Sequence, residues 1–450
     1  MDMSFTRHKL TYTQMIVLSF FCLILTGAFI LCLPISSRAH EWTSFINSLF
    51  AATTASCVTG LVVVDTYTHW SVFGQAIILT LIQIGGLGVM TCIALIALFL
   101  KRRISLGERR LLMQSAGSLQ ISGIVKLLKR ILLGTAIVEG CGAIILAFVF
   151  CPRMGLFPGL WNAIFHSVSA FCNAGIDLMG KYGQYSSFTT DGLAFNPIVN
   201  LTIMSLIIIG GIGFVVWTDI ARHKFNFKKY EIHSKIALVT TAFLLVSGTI
   251  LFFIFEYHKA FEGFTFGQKV LASMFQSVTP RTAGFNTIDE STLSESGKAL
   301  TTVLMFIGGS PGSTAGGIKT TTFAVLILSA LAAAKRYGSV TVFKRKLDEN
   351  TIVQASSILT VYVACVFAAV LIICALEPYT LTQVLFETVS AIGTVGLTLG
   401  ITPALCTGSK LVLIILMFTG RVGGLSLMLV LAERRRNVKI SRPTSQILIG

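Results

Sequence analysis

Charge is scarce in this chain. Asp, Glu, Lys and Arg together make up 12% of its 450 residues, against 54% apolar. A soluble globular domain carries about twice that share of charge, so water is excluded as the solvent for most of the surface and lipid takes its place. Clustered chemistry is missing too. The ten cysteines are scattered without a C-x-x-C pair, and the seven histidines (His8, His40, His69, His166, His223, His233, His258) are dispersed. No set of them has metal-ligand spacing, and the cysteines read as small apolar packing residues. A membrane enzyme would need acid, base or metal ligands gathered inside its spans, so an enzyme is not expected. The glycine-rich stretch from Gly312 to Lys319 ends Gly-Gly-Ile-Lys rather than Gly-Lys-Thr, and no G-x-G-x-x-G follows a strand pattern, so no bound nucleotide is expected in this chain.

What the sequence has instead is long apolar runs. A bilayer core of about 30 Å takes a helix of about 20 apolar residues. Eight runs qualify, near Thr13 to Ile35, Phe73 to Leu100, Val125 to Phe150, Pro197 to Ile220, Lys235 to Phe255, Ala299 to Ala334, Ile352 to Leu376 and Lys410 to Leu431. The first follows Arg7, His8 and Lys9, but Leu31-Cys32-Leu33-Pro34 offers no small-residue cleavage site, so it reads as a retained span. The net charge of +16 would suggest nucleic acid in a soluble protein. Here the basic residues gather at span ends, in Lys101 to Arg110, Arg222 to Lys229, Lys335 to Lys346 and Arg434 to Lys439. The positive-inside rule then puts both termini in the cytoplasm. The stretch from Lys101 to Arg110, continued by Leu111-Leu112-Met113, reads as an interfacial helix touching lipid or a partner, or as solvated cytoplasmic charge.

One grammar appears four times: span, short apolar segment, glycine, polar mouth, span. The segments run from Leu49-Phe50 to Gly60, from Ile164-Phe165 to Gly175, from Met274-Phe275 to Gly284 and from Leu385-Phe386 to Gly396. Each is too short to cross the bilayer and must enter and leave on one side. The second span of each unit carries a glycine signature, at Gly85-Gly86, Gly210-Gly211, Gly308-Gly309 and Gly420-Arg421, with Arg421 the exception. A fourfold repeat asks for a fourfold structure. The expected fold is an all-α polytopic membrane protein of four linked helix, pore-loop, helix repeats, with eight spans and four re-entrant pore helices around one central pore. Its repeats would occupy residues 1–100, 101–223, 224–335 and 336–450.

Non-helical backbone at membrane depth must be buried in protein or line a water-filled cavity, so the four loops want a common axis. There, carbonyls beside each glycine replace the water shell of a cation. The expected filter residues are Val58, Thr59 and Gly60; Asn173, Ala174 and Gly175; Thr282, Ala283 and Gly284; and Thr394, Val395 and Gly396. The pore helices would add their negative C-terminal ends. Asp65, Asp177 and Asp289 follow three of the loops; they either concentrate cations at the mouth or are ordinary solvated acids. The sixth run is interrupted by Gly308, Gly309, Ser310, Gly312, Ser313, Gly316, Gly317 and Lys319, a stretch that must unwind and reads as a movable plug below the filter. Arg421, a charge at membrane depth, is expected to be functional. Arg281 is expected to brace a pore helix with Glu387 as partner, Glu139 to make a structural hydrogen bond, and His166 to be structural.

With Thr59-Gly60-Leu61-Val62-Val63-Val64-Asp65, Asn173-Ala174-Gly175, Thr279-Pro280-Arg281-Thr282-Ala283-Gly284-Phe285-Asn286 and Gly393-Thr394-Val395-Gly396-Leu397 in this order, the chain resembles the bacterial Trk and Ktr and plant HKT potassium transporters over nearly its whole length. It is most similar to the Ktr membrane subunit. The resemblance implies potassium uptake across the bacterial cytoplasmic membrane, with potassium held by filter carbonyls and selectivity following from a glycine in every loop. It implies a homodimer resting on a cytoplasmic ring of regulatory subunits that bind ATP or ADP, with no covalent cofactor here and sodium activation left open. It also makes the interrupted segment the gate and sets Arg421 beneath the filter as an electrostatic barrier. Lys319 either adds to that barrier or reaches the cytoplasmic interface. An alternating-access secondary cation transporter is the competing reading; it calls for inverted repeats and intramembrane acids, whereas these repeats share one topology and Glu139 is the clear intramembrane acid.

Overall fold

The computed structural model describes residues 11–88, 124–189, 192–224, 226–336 and 339–423. The basic stretch from Lys101 to Arg110, the ends of the second and eighth runs, and the cluster from Arg434 to Lys439 lie outside the described residues. Within them the regular secondary structure is helical apart from one hairpin pairing Thr341–Val342 with Arg345–Lys346. Repeat 1 holds α1 (Tyr12–Cys32), α2 (Phe45–Cys57) and α3 (Val72–Leu87). Repeat 2 holds α4 (Ile124–Met154), α5 (Leu156–Phe171), α6 (Pro197–Gly211) and α7 (Phe214–His223). Repeat 3 holds α8 (Ile232–Glu256), α9 (Phe266–Val278), α10 (Glu295–Phe306) and α11 (Thr320–Ala334). Repeat 4 holds α12 (Glu349–Leu376), α13 (Leu381–Gly393) and α14 (Thr407–Val422).

Four of these, within α1, α4, α8 and α12, are long and apolar enough to cross a bilayer; a bent pair, α6 with α7, raises the number to five among the described residues. Their most apolar windows are only 22–28% buried inside the protein. Outward rows such as Leu133, Ile137, Ile144 and Phe148 on α4, or Phe243, Val246 and Ile250 on α8, are exposed. Apolar rows of this extent would be untenable in water and suit a lipid surround. One expectation needs correcting. The run from Pro197 to Ile220 is not one straight helix: α6 and α7 meet at 96°, because Gly213 takes φ +103, a backbone turn closed to most side chains. The sixth run breaks where expected, between α10 and α11.

The short helices α2, α5, α9 and α13 form the inner layer. Local sequence starts two of them with capping boxes, Thr265 with Gln268 and Thr380 with Gln383, which satisfy free N–H groups at both ends of the first turn. Each packs against the long helix before it: α2 on α1, α5 on α4, α9 on α8, α13 on α12. The second helix of each repeat then packs on the next repeat's short helix, α3 on α5, α6 on α9 and α10 on α13, and α14 returns to α2. That last contact closes the chain into a ring. The aligned phenylalanines Phe50, Phe165, Phe275 and Phe386 are all fully buried, so the repeated aromatic anchors each short helix in the core.

Candidate ion pathway

The four loops that follow the short helices converge. A Cβ placed on Gly60 would lie 2.6 Å from the carbonyl oxygen of Ala174, and one on Gly175 would lie 2.5 Å from that of Ala283. One on Gly284 would collide with the carbonyl of Val395, and one on Gly396 with that of Thr59. Each glycine is therefore capped by the carbonyl just before the next repeat's glycine, and the fourth closes on the first. In every loop the glycine and the residue two before it have positive φ: Val58 and Gly60, Asn173 and Gly175, Thr282 and Gly284, Thr394 and Gly396. Alternating left-handed and ordinary residues aim successive carbonyls toward one side, which a strand would not do. The result is a set of oxygens around one axis, the coordination that suits an unhydrated monovalent cation.

A second feature of each loop is not among the sequence expectations. A hydroxyl near the end of each short helix braces the turn behind it. Gly60 N donates to Thr54 Oγ1 at 2.9 Å and Gly396 N to Ser390 Oγ at 3.1 Å. Ser169 Oγ donates to Ile176 O at 2.7 Å and Thr279 Oγ1 to Phe285 O at 2.6 Å. The signal was present: a Ser or Thr stands six residues before the glycine in three copies and five before in the third, the copy that is one residue shorter throughout.

The glycine pairs of the second helices also acquire a cause. A Cβ on Gly85, Gly210 or Gly420 would strike the carbonyl of Ser56, Phe171 or Ile392 at the end of a short helix. Only glycine lets the two backbones approach so closely. In repeat 3 the partner differs: Gly308 abuts Gly316 of the interrupting segment.

That segment lies beneath the ring, tied to its neighbours through backbone. Ile307 and Ile318 form a parallel bridge, with Gly308 N donating to Ile318 O at 2.8 Å and Thr320 N to Gly309 O at 3.0 Å. Ser310 N donates to Gly211 O at 2.9 Å, and Phe214 N donates to Gly312 O at 2.8 Å. Ser313 Oγ turns back to Ser310 O at 2.6 Å. Thr314 Oγ1 donates to Phe171 O at 3.0 Å and meets Asn173 Oδ1 at 3.2 Å. Gly316 and Gly317 sit against Thr394 and Gly393. Arg421 crosses this layer, donating to Thr314 O, to Gly85 O at 2.5 Å and to Gly86 O at 3.0 Å. Its guanidinium thus joins repeat 4, the segment and repeat 1 through three carbonyls. Lys319 Nζ curls back to Ala315 O at 2.6 Å and Gly316 O at 3.4 Å.

On the other side of the ring, one vestibule is lined by all four glycines together with Asp65, Asp177, Tyr185 and Asn286. Asp65 and Asp177 are brought to it, but Asp289 is not: it is exposed and caps a short turn, accepting from Ser291 N at 2.9 Å. Asp65 is largely committed to the fold. Its Oδ1 accepts from Tyr67 N, Thr68 N and Thr68 Oγ1, and its Oδ2 from Tyr185 N at 3.0 Å. Asp177 accepts from Met179 N at 2.8 Å. Burial pushes its carboxyl up to about 6, against the pull of that hydrogen bond, and the nearby Asp65 carboxylate adds to the rise.

Three braces complete the geometry. Glu139 accepts from Gln83 Nε2 at 3.2 Å and its backbone carbonyl from Ser167 Oγ at 2.6 Å, so it joins repeats 1 and 2. His166 is fully buried; Leu178 N donates to its Nε2 at 3.3 Å, and its Nδ1 lies 2.7 Å from Asn162 O. The expected partnership of Arg281 with Glu387 is not made. Arg281 faces α8 and donates to Thr241 Oγ1 at 3.3 Å, while Glu387 accepts from Thr402 in its own outer loop.

Comparison with known proteins agrees with this architecture. A family described as TrkH, cation transport protein, matches residues 5–440. The potassium/sodium uptake protein NtpJ of Enterococcus hirae is 40% identical, over 99% of this chain and 98% of its own. The Ktr system potassium uptake protein B of Bacillus subtilis is 38% identical, over 98% and 97%. In structure, the potassium transporter TrkH from Vibrio parahaemolyticus aligns over 94% of this chain and 86% of its own with a TM-score of 0.73 at 18% identity, a likeness of fold. The closed ring of repeats, the lipid-facing helices and the match of nearly the whole chain lead to one assignment: this multi-pass membrane protein belongs to the TrkH family of cation transport proteins and is a transporter rather than an enzyme.

Proposed function

We propose that this chain takes up potassium across the bacterial cytoplasmic membrane through the axis of the glycine ring. The four repeats, 1–100, 101–223, 224–335 and 336–450, each supply one filter loop: Val58 to Gly60, Asn173 to Gly175, Thr282 to Gly284 and Thr394 to Gly396. The observation that carries this reading is the closed ring itself, in which each glycine faces the carbonyl before the next. A side chain at any of the four would fill the axis, and the flanking oxygens can replace a cation's hydration shell. Relatives named for potassium uptake support potassium as the ion. The name of the Enterococcus hirae relative includes sodium, so sodium dependence belongs to the same proposal.

The segment from Gly308 to Lys319 is the gate and Arg421 its latch and electrostatic barrier. A cation leaving the ring meets a guanidinium held by three carbonyls, and repulsion lasts until the latch is released. The latch would be worked by a cytoplasmic partner that binds nucleotide, with the membrane subunit a homodimer; the relatives' designation as parts of a Ktr system supports a multi-subunit assembly. Basic span ends such as Arg222 to Lys229 support cytoplasmic termini. The test is uptake of potassium against sodium and rubidium in an uptake-deficient bacterial strain. The wild type should rescue selectively for potassium, and Gly60→Ser should relax toward sodium, because its φ of +99 and the neighbouring Ala174 carbonyl leave no room for a Cβ. Equal selectivity of both proteins would remove the ring as the filter.

A further inference from the structure

Beyond the ion pathway, the bend between α6 and α7 opens a groove of about 560 Å³ between α7 and α4, bounded by Arg130, Ile131, Phe214, Trp217 and Arg222. It lies beyond the glycine pair that abuts Phe171, on the side of the ring away from the vestibule. Apart from Thr218 and the two arginines, its walls are apolar. Ile131 and Phe214 are buried, and the Trp217 ring presses so closely on α4 that a Cβ on Gly134 would be 2.8 Å from it. The indole is fixed, with Nε1 donating to Ile209 O at 3.0 Å. Two exposed arginines face this apolar surface, and neither has a hydrogen-bond or ionic partner among the described residues. Asp219, the one acid of α7, turns away to accept from Glu231 N at 3.0 Å and Ser234 Oγ at 2.6 Å.

We propose that an anionic phospholipid occupies this groove, its phosphate held by Arg130 and Arg222 and an acyl chain laid along Ile131, Phe214 and Trp217. Two unneutralised guanidiniums call for an anion, and the apolar walls call for a tail. A phospholipid supplies both, whereas a soluble phosphate would leave the walls uncovered. Basic pockets between membrane helices on the cytoplasmic side are suited to such headgroups; only the choice of leaflet rests on the orientation proposed above.

The tryptophan is a built-in probe. In nanodiscs, Trp217 emission is taken as the difference between the protein and its Trp217→Phe variant. Quenching is then compared for phosphatidylglycerol and phosphatidylcholine brominated on the same acyl carbons. The brominated phosphatidylglycerol should quench with an affinity at least about fivefold higher and saturate at low mole fraction. Arg130→Gln with Arg222→Gln should abolish the difference, and Arg130→Lys with Arg222→Lys should keep it. Equal quenching by the two lipids, quenching that grows linearly with mole fraction, or its reversal by millimolar inorganic phosphate would overturn the proposal. Because the readout is fluorescence, it stands or falls independently of potassium uptake.

Discussion

Two layers of the inner structure, 24 to 35 residues apart along the chain in each repeat, obey different rules. In the upper layer the four copies are equivalent: every glycine has positive φ, every glycine is capped by a neighbouring carbonyl, and a hydroxyl braces every loop. In the lower layer they are not. Gly85, Gly210 and Gly420 press on the ends of short helices, while Gly308 presses on the interrupting segment, and Arg421 stands where the other copies have Gly86, Gly211 and Gly309. A site that surrounds one ion needs the same group from every side. The latch proposed above needs only one donor and one moving part, which would leave repeats 3 and 4 free to diverge below the ring.

Breaking the upper layer should have the largest effect. Gly396→Val would put a branched side chain at φ +93 against the Thr59 carbonyl and Gly60, and potassium uptake in the deficient strain should fall by about 100-fold or more, since backbone strain and axial blockage add. Retained flux would mean the axis is not the path. Breaking the lower layer should act in the opposite direction. Arg421→Ala removes three hydrogen bonds from a charged donor, each worth about 1.5–3 kcal/mol. Loss of even one such bond should raise flux in the resting state about tenfold, measured as rubidium efflux from proteoliposomes without partner or nucleotide. Unchanged resting flux would separate Arg421 from gating.

The smallest effect belongs to the vestibule, which Asp177 lines. The Asp177 carboxyl is raised to about 6, so it holds its proton below that pH and is charged above it. At about pH 5 roughly a tenth of it is ionised, and at about pH 7.5 nearly all. The KM for potassium should therefore rise about threefold on acidification across this window as the cation-attracting charge is lost. In Asp177→Asn the KM should be high and flat, and an unaltered pH profile in that variant would assign the effect elsewhere.

Much of this was legible in the chain. Glycines at fixed spacing after an apolar segment carry their own conformational demand, so the four loops and the broken sixth run could be read from composition and period. The braces at Thr54, Ser169, Thr279 and Ser390 were legible as well, but a lone hydroxyl in an apolar segment has many local uses and does not announce a loop six residues on. The pairing of Arg281 was misread for a related reason. Charge complementarity names acids but not positions: Arg281 turns to Thr241 on α8, while Glu387 accepts from Thr402. Asp289 resembles Asp65 and Asp177 in sequence position, yet its short turn carries it out of the vestibule.

The sequence by itself determined the apolar exterior, the four short apolar segments and the glycines that follow them, because hydrophobicity and backbone freedom are properties of residues and their spacing. Only the tertiary structure decided which carbonyl caps which glycine, that Arg421 spans from repeat 4 to repeat 1, and that α7 turns away from α6 at 96°. Those are relations between segments as much as 336 residues apart. They are set by how the packed helices close into a ring, for which no local pattern in the chain encodes a distance.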